Sequence, residues 1–134
     1  MKYWLLKSEP NTWSWDDQVK ESPSMWDGVR NYQARNNLKK MKKHDLCFFY
    51  HSVLEKSVIG IVEVVREFYI DPTDETGRFV VVDVMAVKKL KKAVSLNQIK
   101  QNKDLQDIAL IKQSRLSVMP LKKVEWDLII KMSK

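Results

Sequence analysis

Val58-Ile59-Gly60-Ile61-Val62-Glu63-Val64-Val65 is the stretch on which the fold turns. Its branched side chains suit a pleated surface, and too few polar residues alternate with them for one face to meet water. Phe79 to Val87 has the same character, and Asp71-Pro72-Thr73-Asp74-Glu75-Thr76-Gly77 between the two runs carries turn chemistry. Together they predict a long antiparallel hairpin, central in its sheet, with helices on one side and further strands on the other. Leu46 to Tyr50, Tyr3 to Leu6 and a short segment near Val118 bring the total to about five strands, a number suited to a small barrel.

Helices flank these strands. Ser14 supplies a hydroxyl cap, Asp16 and Asp17 sit at the positive end of the helix dipole, and Trp13 is placed to staple the turn. Glu21 to Gly28, with Pro23, reads as a loop. The spacing over Tyr32 to Met41 predicts a helix with Tyr32, Leu38 and Met41 inward and Arg35, Lys39, Lys40 and Lys42 outward. Ser95 caps another helix, Leu105 to Leu110 forms a further turn, and Lys122 to Met132 reads as amphipathic, with Val124, Trp126, Leu128 and Ile129 inward. The class is α+β, a small mixed β-barrel of five or six strands with flanking helices. Residues 1–134 form one domain, since 44% hydrophobic content supports a single core at this length.

A formal charge of +7 favours polyanionic partners without selecting them, because solubility alone accounts for an excess of lysine. Cys47 is the only thiol, so no intrachain disulfide forms. Inside Leu46-Cys47-Phe48-Phe49-Tyr50 it reads as a small buried hydrophobe, not a nucleophile. The apolar run at the amino terminus is too short for a signal peptide or a membrane span. A reducing compartment follows, cytoplasmic, or nuclear in a eukaryote.

Much chemistry drops out. One cysteine with His44 and His51 gives no zinc spacing, and glycines at 28, 60 and 77 make no phosphate loop. Asp16-Asp17 and Asp74-Glu75 are explained as a helix start and a turn. No catalytic residue, metal or cofactor is expected.

What remains is Lys7-Ser8-Glu9-Pro10, at the end of the first strand, and Trp26-Asp27-Gly28-Val29-Arg30-Asn31-Tyr32-Gln33-Ala34-Arg35-Asn36. Trp26 lies in a polar loop where no periodicity demands burial, and an indole there makes one wall of a slot in which a nucleobase stacks, worth roughly 1 to 3 kcal/mol. Ser8 and Asn31 both donate and accept, as reading a base edge requires. His51, at a strand end, is either a neutral group on the pocket wall or a histidine bonded to a nearby loop. Arg30, Arg35, Lys39 and Lys40 form a groove for phosphates if they share a face.

These segments, with Tyr3-Trp4-Leu5-Leu6-Lys7-Ser8-Glu9-Pro10, Phe48-Phe49-Tyr50-His51-Ser52, Val58-Ile59-Gly60-Ile61-Val62-Glu63-Val64, Asp71-Pro72-Thr73 and Ile111-Lys112-Gln113-Ser114-Arg115-Leu116-Ser117-Val118-Met119-Pro120, closely resemble the EVE domain family. That family, which includes the thymocyte nuclear protein group, belongs to the PUA-like superfamily beside the YTH domains. The resemblance implies a PUA-like fold and a non-catalytic role: a monomer that recognises DNA or RNA through a base, modified and flipped into a pocket. By likeness to the YTH relatives, Ser8 and Trp26 carry the pocket first, with Asn31, His51, Ser114, Arg115 and Leu116 around the same opening. The sequence departs from the family pattern at His44, where glycine is usual, and at Phe79, where tryptophan is common. Two other readings stand beside this one: an enzyme acting on a nucleotide or small metabolite through His51 and Glu9, and a protein-interaction module whose basic surface meets an acidic partner.

Overall fold

The computed structural model describes all residues, 1–134. Six strands, β1 (Tyr3–Ser8), β2 (Ser24–Met25), β3 (Leu46–His51), β4 (Ser57–Ile70), β5 (Val80–Ser95) and β6 (Val118–Leu121), alternate with five α-helices. The helices are α1 (Trp15–Lys20), α2 (Tyr32–Lys40), α3 (Leu96–Gln101), α4 (Ala109–Lys112) and α5 (Lys123–Met132), with a short 3-10 turn at Lys103–Leu105. The strand order is β2-β5-β4-β3-β1-β6. β1 runs parallel to β3, and every other pairing is antiparallel.

The mixed α+β class holds, but the sheet is not closed into a barrel, because β2 and β6 form two separate margins. Helix α2 packs against β6 and also against β5 and β4, and Asn37 Nδ2 donates to the Val118 carbonyl of β6 at 2.7 Å. A helix therefore covers the seam that strand pairing would otherwise close. The margin strand β2 falls in the segment predicted as a loop, because its two residues follow Pro23 and show no alternation.

The hairpin is longer than its apolar pattern. β4 runs five residues past Val65 and β5 continues through Lys88-Lys89-Leu90-Lys91-Lys92, where most side chains are exposed. Its register shifts repeatedly, most strongly where Val58 faces Val94 but Gly60 faces Lys89, so that β5 bulges over Leu90 to Ala93. Opposite that bulge, Gly60 admits Trp15: a Cβ built there would lie 2.6 Å from the indole ring.

Local signals place most helices. Ser14 and Asp17 form a reciprocal capping box on α1, and Ser95 and Gln98 form one on α3. Asn31 caps α2, its Oδ1 accepting from the Ala34 amide at 2.9 Å. Two inward assignments fail: Tyr32 is 51% exposed and Val124 61%. On α2 the inward side belongs to Ala34, Asn37 and Leu38, and Tyr32 instead stacks on Phe79 with ring centroids 5.2 Å apart. Cys47 is fully buried, and burial pushes its thiol well above the ordinary value. His44 sits at φ +80°, the left-handed region that explains why glycine suits its turn. In the lower core, Phe48 stacks on Trp126 at 3.7 Å.

Candidate functional site

A cavity of about 810 Å³ opens at the carboxyl end of β1, between the start of α1 and the segment from β2 to α2. That is within the range of small-molecule sites, roughly 300 to 1,000 Å³. Ser8, Trp26, Arg30 and Asn31 line it, with Lys7 and Ser117 beside them. Two hydrogen bonds build its floor around Gln18, a wholly buried amide on α1. Its Oε1 accepts from the Trp13 indole at 2.9 Å, and its Nε2 donates to Ser24 Oγ at 2.9 Å. α1 and β2 are thereby held together beneath the opening.

The polar atoms are already partly committed. Ser8 Oγ donates to the Trp13 carbonyl, which leaves the hydroxyl to act as an acceptor. Asn31 spends its oxygen on the α2 cap, which leaves its amide N–H₂ to donate. Lys7 Nζ donates to the Ser114 carbonyl at 2.7 Å, and partial burial lowers its pKa from the ordinary lysine value. No carboxylate lies within ion-pair distance of it.

The wall that carries Gly28 and Arg30 is tied to the β4–β5 turn by Asp71, whose side chain is fully buried. Its carboxylate accepts from the Gly28 amide at 3.1 Å, Arg30 Nη1 at 3.0 Å, and the Thr73 amide and hydroxyl at 2.7 and 2.6 Å. Burial alone would raise this carboxyl, but the Thr73, Arg30 and Gly28 donors outweigh it and hold the pKa below the usual value. Gly28 adopts φ +79°, which lets its N–H turn toward that carboxylate.

Trp26 is 7% exposed, more enclosed than its polar neighbours imply, because its ring meets Phe49 edge to face at 5.5 Å. It still forms part of the cavity wall. The remaining candidates divide. His51 does not line this cavity: its Nε2 accepts from the Trp15 amide at 3.0 Å and its Nδ1 faces Glu55 Oε1 at 2.9 Å. It borders a smaller cavity of about 290 Å³ with Trp15, Lys89 and Lys91. Ser114, Arg115 and Leu116 also miss the opening, and Ser117 is the member of that segment which reaches it. Leu116 is buried in the core, and Ser114 contributes only its carbonyl, to Lys7. Glu9 lines the larger cavity and His51 the smaller, so the acid–base pair that the enzyme reading requires is not assembled.

Of the four expected phosphate contacts, Arg30 alone lines the cavity. Arg35 lies on α2, its guanidinium 4.8 Å over the Tyr32 ring and bonded to Asn36 Oδ1 and the Arg78 carbonyl. Lys39 and Lys40 follow on the same helix, exposed, with Lys39 Nζ 5.8 Å from the Phe68 ring centre. No group of three or more His, Cys, Asp or Glu side chains is arranged to hold a metal ion, and no helix is long and apolar enough to cross a membrane.

Residues the sequence reading missed include Lys7, Trp13, Ser24 and Ser117. Lys7 and Ser117 lie inside the segments Lys7 to Pro10 and Ile111 to Pro120, next to Ser8 and Leu116. Ser24 gave no signal, since only its pairing with Val84 and its bond to Gln18 place it.

The EVE domain family model matches residues 2–132. The chain belongs to the EVE domain family. Mouse thymocyte nuclear protein 1 is 34% identical over 96% of this chain and 72% of its own length. The solution structure of Rpa0253 from Rhodopseudomonas palustris superposes with a TM-score of 0.93 at 47% identity, covering 99% of this chain and 93% of that one. The crystal structure of human THYN1 in complex with 5-methylcytosine-containing DNA superposes with a TM-score of 0.91 at 31% identity, covering 100% of this chain and 98% of that one. The PUA-like fold of this EVE domain is thus shared with a DNA-bound relative.

Proposed function

We propose that this domain is a non-catalytic reader of nucleic acid. One base, carrying a modification and swung out of its strand, enters the Trp26 cavity. Trp26 walls it, Ser8 and Asn31 satisfy its edge, and Arg30, Arg35, Lys39 and Lys40 hold flanking phosphates. The domain acts as a single copy. The observation that carries the reading is an open cavity lined by an indole, a free amide N–H₂ and a hydroxyl acceptor, together with Lys7, a cation with no carboxylate partner; Glu9, Glu21 and Asp27 also lie on its lining. The relative bound to 5-methylcytosine DNA supports it. A single methyl filling an apolar corner gives only about 1 to 3 kcal/mol of discrimination, so selectivity for modified over unmodified base is modest.

The test is a titration of 5-methylcytosine and unmodified duplexes with wild type, Ser8→Ala and Asn31→Asp. Aspartate preserves the α2 cap but replaces the amide donor with a carboxylate. The expected outcome is salt-dependent binding that favours the modified duplex and falls at least tenfold in Asn31→Asp. Equal binding by all three proteins, or none by wild type at low salt, defeats the proposal.

A further inference from the structure

Trp4 donates its indole N–H to Asp45 at 3.0 Å and Trp13 donates to Gln18 at 2.9 Å. The N–H of Trp26, like those of Trp15 and Trp126, meets no protein acceptor. Yet no buried side-chain nitrogen or oxygen in the molecule is left without a partner, so Trp26 Nε1 is not sealed in. Trp26 is the one of these three that lines the large cavity, and it lines none of the other principal ones, so that cavity is where an accessible Trp26 N–H can meet a ligand. The exposed area points the same way. A tryptophan presents on the order of 250 Å², and 7% of it is far less than a ring face. What Trp26 offers is a strip of edge that includes a hydrogen-bond donor, set at right angles to Phe49.

We infer that Trp26 reads its ligand through the indole N–H, donating to a ring-nitrogen or carbonyl acceptor on the bound base, and is a specificity-determining residue. The inference rests on the base-reading function above and deepens it. With Asn31 the cavity then presents two neutral donors, and Ser8 an acceptor. A base that fails to meet the indole leaves a donor unpaired when water is expelled, a penalty that excludes ligands more sharply than lost contact area does.

The test replaces Trp26 with β-(3-benzothienyl)alanine, which keeps the bicyclic shape and substitutes sulfur for N–H, and uses Trp26→Phe as a second variant. Each is titrated with a 5-methylcytosine duplex and with duplexes whose modified base lacks either the ring-nitrogen acceptor or the 2-carbonyl. The isostere should bind the 5-methylcytosine duplex about tenfold more weakly, the size of one hydrogen-bond loss. For one of the two acceptor-deleted duplexes that difference should vanish, because the partner atom is gone from both sides of the cycle. If Trp26→Phe does not fold, the isostere and the wild-type series still decide. Equal affinity of isostere and wild type for the 5-methylcytosine duplex overturns the inference, and so does an undiminished difference on both analogues. Failure of wild type to bind any duplex defeats the base-reading function itself, a distinguishable result.

Discussion

Ser8 and His51 are register partners at the ends of the parallel strands β1 and β3, yet they border different cavities. The segment Trp13 to Trp15 makes the division. Its Trp13 carbonyl accepts from Ser8 on one side, and its Trp15 amide donates to His51 on the other. On the Ser8 side the cavity is about 810 Å³ and retains unspent donors and acceptors. On the His51 side it is about 290 Å³, and both imidazole nitrogens are engaged. An Nε2 that accepts leaves the ring proton on Nδ1, facing Glu55. Adjacent positions at the end of one sheet thus acquire different jobs: one keeps capacity for a ligand, and the other secures the crossing segment.

The largest effect that can break this comparison comes from Gly60. Gly60→Val should force the Trp15 ring out of its seat and destabilise the protein by about 1 to 3 kcal/mol or more, as overpacking does, read as a drop in thermal midpoint. Unchanged stability would mean that Trp15 is not what holds the crossing. Next, His51→Leu strands the buried Trp15 amide and should cost about 1 to 3 kcal/mol of stability while the folded protein binds a 5-methylcytosine duplex within threefold of wild type. Ser8→Ala should do the reverse, with a small stability change and a clear affinity loss. If both variants behave alike in both assays, the division into two jobs is wrong.

Acid sharpens the contrast on the cavity side. The folded pKa of Asp71 is depressed, so its contribution to stability is present above the unfolded value near 3.9 and is lost as pH falls through the lower folded value. Wild type should therefore lose more stability than Asp71→Asn between about pH 5 and pH 2, and parallel denaturation curves for the two would contradict the clamp. Smaller still is the salt response. Arg30 is neutralised by Asp71, whereas Arg35 has no carboxylate partner. Arg35→Gln should lower the slope of log K against log salt by about one, and Arg30→Gln by less. His44→Gly should give the smallest change, a stabilisation of up to about 1 kcal/mol on relief of the left-handed backbone, less the loss of the exposed His44–Glu63 contact.

Sequence patterning carried the local decisions and stopped where tertiary contacts took over. Ser14, Ser95 and the turn at Asp71 to Gly77 are legible because caps and turns act within a few residues. The ends of β4 and β5 are not, since mostly exposed side chains break the apolar pattern there, while the pairing rests on backbone bonds and on cross-strand contacts such as Tyr69 with Asp83. Likewise, Ser8 and Trp26 stand out by residue type in unusual surroundings, and both line the cavity. The fate of His51 depends on the Trp13 to Trp15 crossing, a relation between distant segments that no spacing reveals. The same holds for Gln18, an unremarkable helix residue in sequence whose amide joins Trp13, Ser24 and the Val84 carbonyl. Ser117 lies only one residue past Ser114-Arg115-Leu116, and it alone of the four lines the cavity.

The most direct measurement uses the five indole N–H resonances of the protein, followed in a ¹⁵N-correlated NMR titration with a 5-methylcytosine oligonucleotide. Trp26 should shift most, together with the Asn31 side-chain amide, while Trp15, on the His51 side, stays close to its free position. A dominant shift of Trp15 with Trp26 unmoved would place the ligand in the other cavity and contradict the account.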